Sequence, residues 1–272
     1  MRPSRLLALV LLAVVSERVP ARAQAPVAHQ RLAIVIEPMG AEHMLALGVR
    51  ARLGDPEELL FTGAHAEAGV VSYTSPIYTR NGAYLQVSPL AFLVLRAELR
   101  HVQMWSIGMP GAGYFPLLQD GSLAEGGAAT GWEAHLSAIL QGLVPLGDTR
   151  LLIWNQTALE SLTIGPAERY LSPRHDAALG RRDGTLTNAA MLLWEVDLTP
   201  RLHLRLGAYS DLLWVASDGY LAHQVGPLAM LHVDAPDPHV SSILPFVRFG
   251  AYTDGRRAGG VTALAGLLVD YE

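Results

Sequence analysis

The 272-residue chain has no cysteine and no lysine; all 20 of its basic residues are arginine. Without cysteine there is no disulfide framework, no thiolate nucleophile, no cysteine-ligated metal and no cysteine to carry a lipoprotein anchor. Without lysine, a Walker A phosphate loop and a Schiff-base catalyst are excluded. Long apolar runs are also missing. Half the residues are hydrophobic, yet beyond Val15 no stretch approaches the roughly 20 residues that a transmembrane helix needs. A membrane protein of this composition has to close its backbone hydrogen bonds in a barrel. A soluble chain of this length could bury the same composition in one or two domains.

The N-terminus reads as an export signal. Arg2 and Arg5 form a basic region, residues 6–15 an apolar one, and Ala21-Arg22-Ala23 a small-x-small cleavage site. Residues 1–23 are therefore set apart as a signal peptide, and residues 24–272 as one β-barrel domain. Removing the signal leaves 16 basic and 24 acidic residues, a formal charge of −8. That balance speaks against nucleic acid, whose binders carry a basic stripe.

What remains is dominated by a period of two, the signature of strands with one apolar and one polar face. The clearest case is residues 185–217. In its first half Leu186, Ala190, Leu192, Trp194, Val196 and Leu198 share a face that only Asn188 interrupts. In its second half Leu202, Leu204, Leu206, Ala208, Leu212 and Trp214 alternate with His203, Arg205, Gly207, Tyr209 and Asp211. A three-residue turn at Thr199-Pro200-Arg201 sets Leu198 opposite Leu202 and Glu195 opposite Arg205. Similar alternation marks residues 43–53, 59–72, 131–143, 242–254 and 259–271, while residues 31–37 read as a short apolar strand and 149–162 and 221–233 as further strands. Residues 82–100 read as two strands parted at Ser88-Pro89-Leu90, because a central strand does not accept proline. Residues 74–81, 106–129 and 165–184 read as loops.

The total is twelve strands and no helix. The connections near residues 55, 89, 146, 200 and 236 are short, whereas those near 77, 117, 174, 218 and 257 include both long loops. Short turns at one end and long loops at the other resemble the arrangement of bacterial outer-membrane β-barrels. The resemblance spans residues 31–271. It implies an all-β, antiparallel up-and-down transmembrane barrel in the Gram-negative cell outer membrane, porin-like, in contact with membrane lipid and assembled by the barrel assembly machinery. Trp105, Trp132 and Trp214 fall at strand ends on the long-loop side, where an aromatic girdle sits. The aromatic assembly signal of such barrels is terminal; here Tyr271 is penultimate.

In such barrels the polar face lines the lumen, which would hold Arg50, Arg52, Arg96, Glu98, Arg100, Glu133, Glu195, Arg205 and Arg248. Two functions compete for that set: a small passive channel with an arginine ladder, and a mutually neutralised network that braces a structural membrane protein. His135 and Ser137 resemble the His-x-Ser pair of outer-membrane lipases and deacylases, but they alternate onto the lumen side. His175 and Asp176 read as a solvated loop, and Arg169, Arg174, Arg181 and Arg182 as an outward basic strip able to meet lipopolysaccharide phosphates. No metal, cofactor or catalytic residue is expected. The soluble alternative is a periplasmic β-sandwich or lipocalin-like binding protein, with the leucine face turned inward.

Overall fold

A computed structural model describes residues 25–35, 40–54, 57–109, 112–234 and 240–271. The expected signal peptide lies outside the described residues. The strands are β1 (Ala25–Val35), β2 (Gly40–Arg52), β3 (His65–Ser75), β4 (Tyr78–Leu90), β5 (Leu93–Trp105), β6 (Phe115–Pro116), β7 (Ala128–Leu146), β8 (Thr149–Ile164), β9 (Arg169–Ser172), β10 (Ala177–Gly180), β11 (Arg182–Thr199), β12 (Leu202–Val215), β13 (Leu221–Asp234), β14 (Val240–Asp254) and β15 (Val261–Tyr271). Twelve of them close into one barrel in the order β1-β15-β14-β13-β12-β11-β8-β7-β5-β4-β3-β2, every pair antiparallel. Closure leaves no unpaired edge to aggregate.

The two faces of this sheet are chemically opposite, and the period of two dictates which residues lie on each. On β12, Leu206 is 49 % exposed on the outside, whereas Arg205 points inward onto Glu195, its partner in register. Leu47, Val49, Leu95, Leu99, Leu136, Leu159, Leu192 and Phe249 continue the exposed apolar surface around the barrel. Trp132 and Trp214 lie on that same surface toward the long-loop end. Soluble monomers rarely expose contiguous apolar patches beyond a few hundred Å². A sandwich or lipocalin-like packing would bury this leucine face, so the leucine-inward alternative is overturned.

Four local expectations are corrected. Residues 59–64 are not strand: Leu59–Phe61 is a 3-10 turn, and β3 starts at His65. Residues 74–81 are mostly strand, with only Pro76 and Ile77 between β3 and β4, so Tyr78 and Arg80 enter the wall. The turn at Pro200-Arg201 pairs Thr199 with Leu202 and displaces Leu198 by a register shift after Asp197. The two long loops are not unstructured either: they contribute β6, β9 and β10 to a small antiparallel sheet.

That small sheet fills the long-loop end of the barrel. Tyr170 on β9 and Ala177 and Leu179 on β10 are fully buried against Tyr78, Val102, Met104, Leu162, Ile164 and Val215 of the wall. A barrel with a polar lumen therefore carries an apolar plug at one end, held by the same burial that stabilises a globular core.

Candidate functional site

The interior between the plug and the short-turn end is built from charged side chains on adjacent inner positions. Antiparallel register sets Arg100 of β5 opposite Glu133 of β7, Glu98 opposite His135, and His135 opposite Glu160 of β8. Directly opposed side chains lie about 5 Å apart at Cβ, close enough for long charged groups to meet. Arg100 reaches Glu98 at 3.1 Å and Glu160 at 3.7 Å, and also bonds Glu133. Arg80 of β4 bonds Glu42 of β2 at 2.6 Å and Glu133 at 3.4 Å. Arg96 bonds Glu98 at 2.6 Å.

The plug closes the set. The hairpin between β9 and β10 turns through Asp176, whose φ of 48° is in the left-handed region that Asp tolerates better than most residues. Asp176 is in turn bonded by Arg257. This turn delivers Arg174 to Glu160 at 2.6 Å and Glu133 at 3.4 Å, and His175 to Glu160 at 2.9 Å. Burial opposes the Arg174 charge, but the Glu160 and Glu133 carboxylates outweigh it and hold the guanidinium well above the usual arginine range. Four guanidiniums (Arg80, Arg96, Arg100, Arg174) thus interlock with four carboxylates (Glu42, Glu98, Glu133, Glu160). Arg100 is 2 % exposed and Glu133 1 %. Desolvating each charge costs several kcal/mol, which only such multiple, well-directed contacts can offset.

Tyrosines complete the packing. Tyr73 donates to Glu98 at 3.2 Å, and the Arg80 guanidinium stacks 4.2 Å from its ring centre. Tyr84 donates to Glu67 at 2.6 Å. Its hydroxyl occupies the space over Gly48, where an added Cβ would stand only 2.4 Å from it.

The remaining residues expected at the lumen fall into separate groups. Arg50 pairs with Glu67 at 3.0 Å. Glu195 receives Arg205 and, at 2.7 Å, Arg150 near the short-turn end. Arg248 bonds Asp211 and lies 4.5 Å from the Tyr209 ring centre. Arg52 is exposed at the end of β2. Beside the plug a cavity of about 560 Å³ remains, lined by Arg31, Glu42, Asp211, Arg248 and Tyr252 among others.

Several readings of single residues change. His175 is not solvated, and Arg174 does not face outward: both are drawn inside by Glu160. Arg169 does stay near the surface, paired with Asp218 at 3.0 Å. His135 and Ser137 do not form a pair. His135 Nδ1 is engaged by Glu160 Oε1 at 3.0 Å, and Ser137 Oγ is buried with no hydrogen-bond partner among the described residues. Glu133, His135 and Glu160 are close enough to hold a cation, but Arg100 and Arg174 already occupy the same carboxylates. Glu42, Arg80 and Glu160 escaped the sequence reading. For Arg80 the signal was there, since Tyr78, Arg80, Gly82, Tyr84 and Gln86 alternate as one face.

No family model and no curated protein matches the chain. Among solved structures, the β-domain of the Bordetella autotransporter BrkA is similar over 92 % of this chain and 100 % of that one, at 13 % identity and a TM-score of 0.49. The NanC porin is similar over 90 % of this chain and 99 % of that one, at 11 % identity and a TM-score of 0.40. OmpT, an outer membrane protein of Vibrio cholerae, is similar over 94 % and 100 %, at 6 % identity and a TM-score of 0.37. None of these distant likenesses assigns a role to a residue of this chain.

Proposed function

We propose that the chain is an exported barrel of the Gram-negative outer membrane whose lumen is sealed by its own side chains, so that it serves as a structural membrane protein and not as an open channel. The membrane placement is supported by the apolar exterior, by Trp132 and Trp214 near one rim and by the signal-like N-terminus. The observation that carries the sealed lumen is the Arg100–Glu98–Glu133–Glu160 belt, bridged to the plug through Arg174. In this reading Arg50, Arg96, Glu98, Arg100, Glu133, Glu195, Arg205 and Arg248 are bracing groups, and selectivity for a solute is not their task; Arg52, exposed at the end of β2, takes no part in the bracing. The barrel assembly machinery and membrane lipid, including lipopolysaccharide at the long-loop rim, are its partners.

Planar bilayers test the reading. The folded wild-type barrel is expected to give no conductance steps at moderate voltage and salt. Uniform steps from the wild-type protein would restore the small passive, porin-like channel, with the 560 Å³ cavity as its vestibule.

A further inference from the structure

A membrane-facing surface should be apolar throughout, because a polar side chain in hydrocarbon loses its water without replacement. The outer face of β12 obeys this at Leu204, Leu206, Ala208, Leu212 and Trp214, and breaks it at Ser210. Next to it on β13, His223 also points outward, opposite Leu212, and on β14 Thr253 does so. The three are joined. Ser210 Oγ lies 2.9 Å from His223 Nε2, His223 Nδ1 lies 2.6 Å from Thr253 Oγ1, and Thr253 donates to the His223 carbonyl at 3.3 Å.

One tautomer satisfies all three contacts: with the Thr253 proton on the His223 carbonyl, Thr253 Oγ1 accepts from Nδ1–H and Nε2 is left to accept the Ser210 proton. A nucleophilic serine needs a base in this tautomer, held by a third group. The ladder is bent where it has to be: register shifts between His223 and Gln224, which leaves Thr253 out of the pairing and aimed at the ring. Bulges of this kind re-aim side chains. On the neighbouring strands Asn188 donates to Thr157 at 2.9 Å and to Asn155 at 3.2 Å, also on the outer face. Asn188 sits two residues from Ala190, the partner of Ser210. The polar patch thus runs across five strands in the half of the barrel nearer the long loops, four residues below Trp214 on β12.

We infer that Ser210, His223 and Thr253 form a membrane-facing site that hydrolyses carboxylic esters of amphiphilic lipids. It rests on the membrane placement of the outer face and is independent of whether the lumen conducts. Ser210 Oγ attacks the ester carbonyl carbon while His223 Nε2 takes its proton. The bond from that carbon to the alcohol oxygen breaks, and the alcohol leaves with the proton from His223. A water molecule from the interface then cleaves the Ser210 acyl ester, releasing the fatty acid and restoring the hydroxyl. Ser210 and His223 are the catalytic residues, and Thr253 is a positioning residue.

The test uses the full mature chain folded in detergent micelles, with folding checked by heat-modifiable gel mobility. A fluorophosphonate probe is expected to add one adduct per chain, located at Ser210 by mass spectrometry, and S210A and H223A are expected to remain unlabelled while still folded. Fatty-acid release from micelles of diacyl phosphatidylethanolamine and, separately, of lipid A identifies the ester source. Thr253→Val is expected to lower kcat about 100-fold with KM within about twofold, and Thr253→Ser to restore it. Labelling that persists in S210A, or a folded wild type that neither labels nor releases fatty acid from either lipid, overturns the inference. Conductance plays no part in these readouts, so an open pore would remove the sealed-lumen reading and leave this one standing.

Discussion

Ser172 and Ser210 stand 2.8 and 2.9 Å from a histidine nitrogen. Ser172 belongs to the plug: its partner His175 passes a second bond to the Glu160 carboxylate, a stronger third group than a threonine hydroxyl. Judged by hydrogen bonds alone, the inner triad is the better catalyst. Yet Ser172 is buried, and Glu160 is shared among Arg174, His135, Thr185 and His175. The outer triad has the weaker third member, a partly accessible serine and an exposed Thr253 at the surface where lipid would arrive. Access, and not bond geometry, separates a brace from a reactive site. The same contrast runs through the molecule: inside, polar groups are numerous and bonded largely to one another; outside, they are few and their neighbours are apolar.

The comparison can be broken most forcefully in the inner belt. Arg100→Met leaves Glu98 and Glu133 buried beside one cation fewer, and unfolding in guanidinium from lipid vesicles should show a loss of about 3–5 kcal/mol. Adding Glu133→Leu to that variant should recover part of the loss; a double variant worse than the single one would mean that the belt is not held by charge pairing. Leu206→Arg places a charge on the apolar exterior and should cost about 2–4 kcal/mol if that position lies near the mid-membrane, with less toward either rim. A negligible effect would mean that Leu206 does not meet lipid. Arg174→Ala removes the plug's guanidinium from Glu160 and Glu133 while leaving His175 on Glu160 and the wall-to-wall pairs in place. It is expected to convert a silent barrel into one with conductance steps, and silence in this variant would show that the lumen stays closed without the Arg174 bridge. Ser172→Ala is expected to change least, about 1 kcal/mol for one lost hydrogen bond, with fluorophosphonate labelling of Ser210 unaltered.

The barrel was legible because a period of two is a property of neighbouring residues, and twelve strands each state it separately. Alternation of Arg205 and Leu206 tells only which residues share a face of β12; the sorting of short turns and long loops to opposite ends is what pointed the leucine face outward. Two kinds of feature were hidden, for physical reasons. The plug depends on contacts between residues far apart in the chain: nothing local to Pro173-Arg174-His175 says that Glu160 will draw them inward, and a sequence rich in Gly, Pro and charge reads as solvated loop. The strand at residues 78–81 was missed because Pro76 so close to it suggests a break, whereas here a two-residue turn is all that separates β3 from β4. The outer polar patch lay between these cases. Asn188 stood out as the one polar residue on an apolar face, and Ser210 occupies a gap in the leucine alternation of the next strand. Their connection to His223 and Thr253 depends on register across β13 and β14 and on the bulge at Thr253, and no single strand contains it.

The claim on which the rest depends is that β12 turns its leucines to lipid and its arginine to a sealed interior. The chain has no native cysteine, so single cysteines at positions 203 to 210 can each carry a spin label in lipid vesicles, with collision by oxygen and by a water-soluble nickel chelate measured at every site. Positions 204, 206, 208 and 210 are expected to be high in oxygen collision and low in nickel, and positions 205, 207 and 209 low in both. High oxygen collision at 205 and 209 with low values at 204 and 206 would contradict the account.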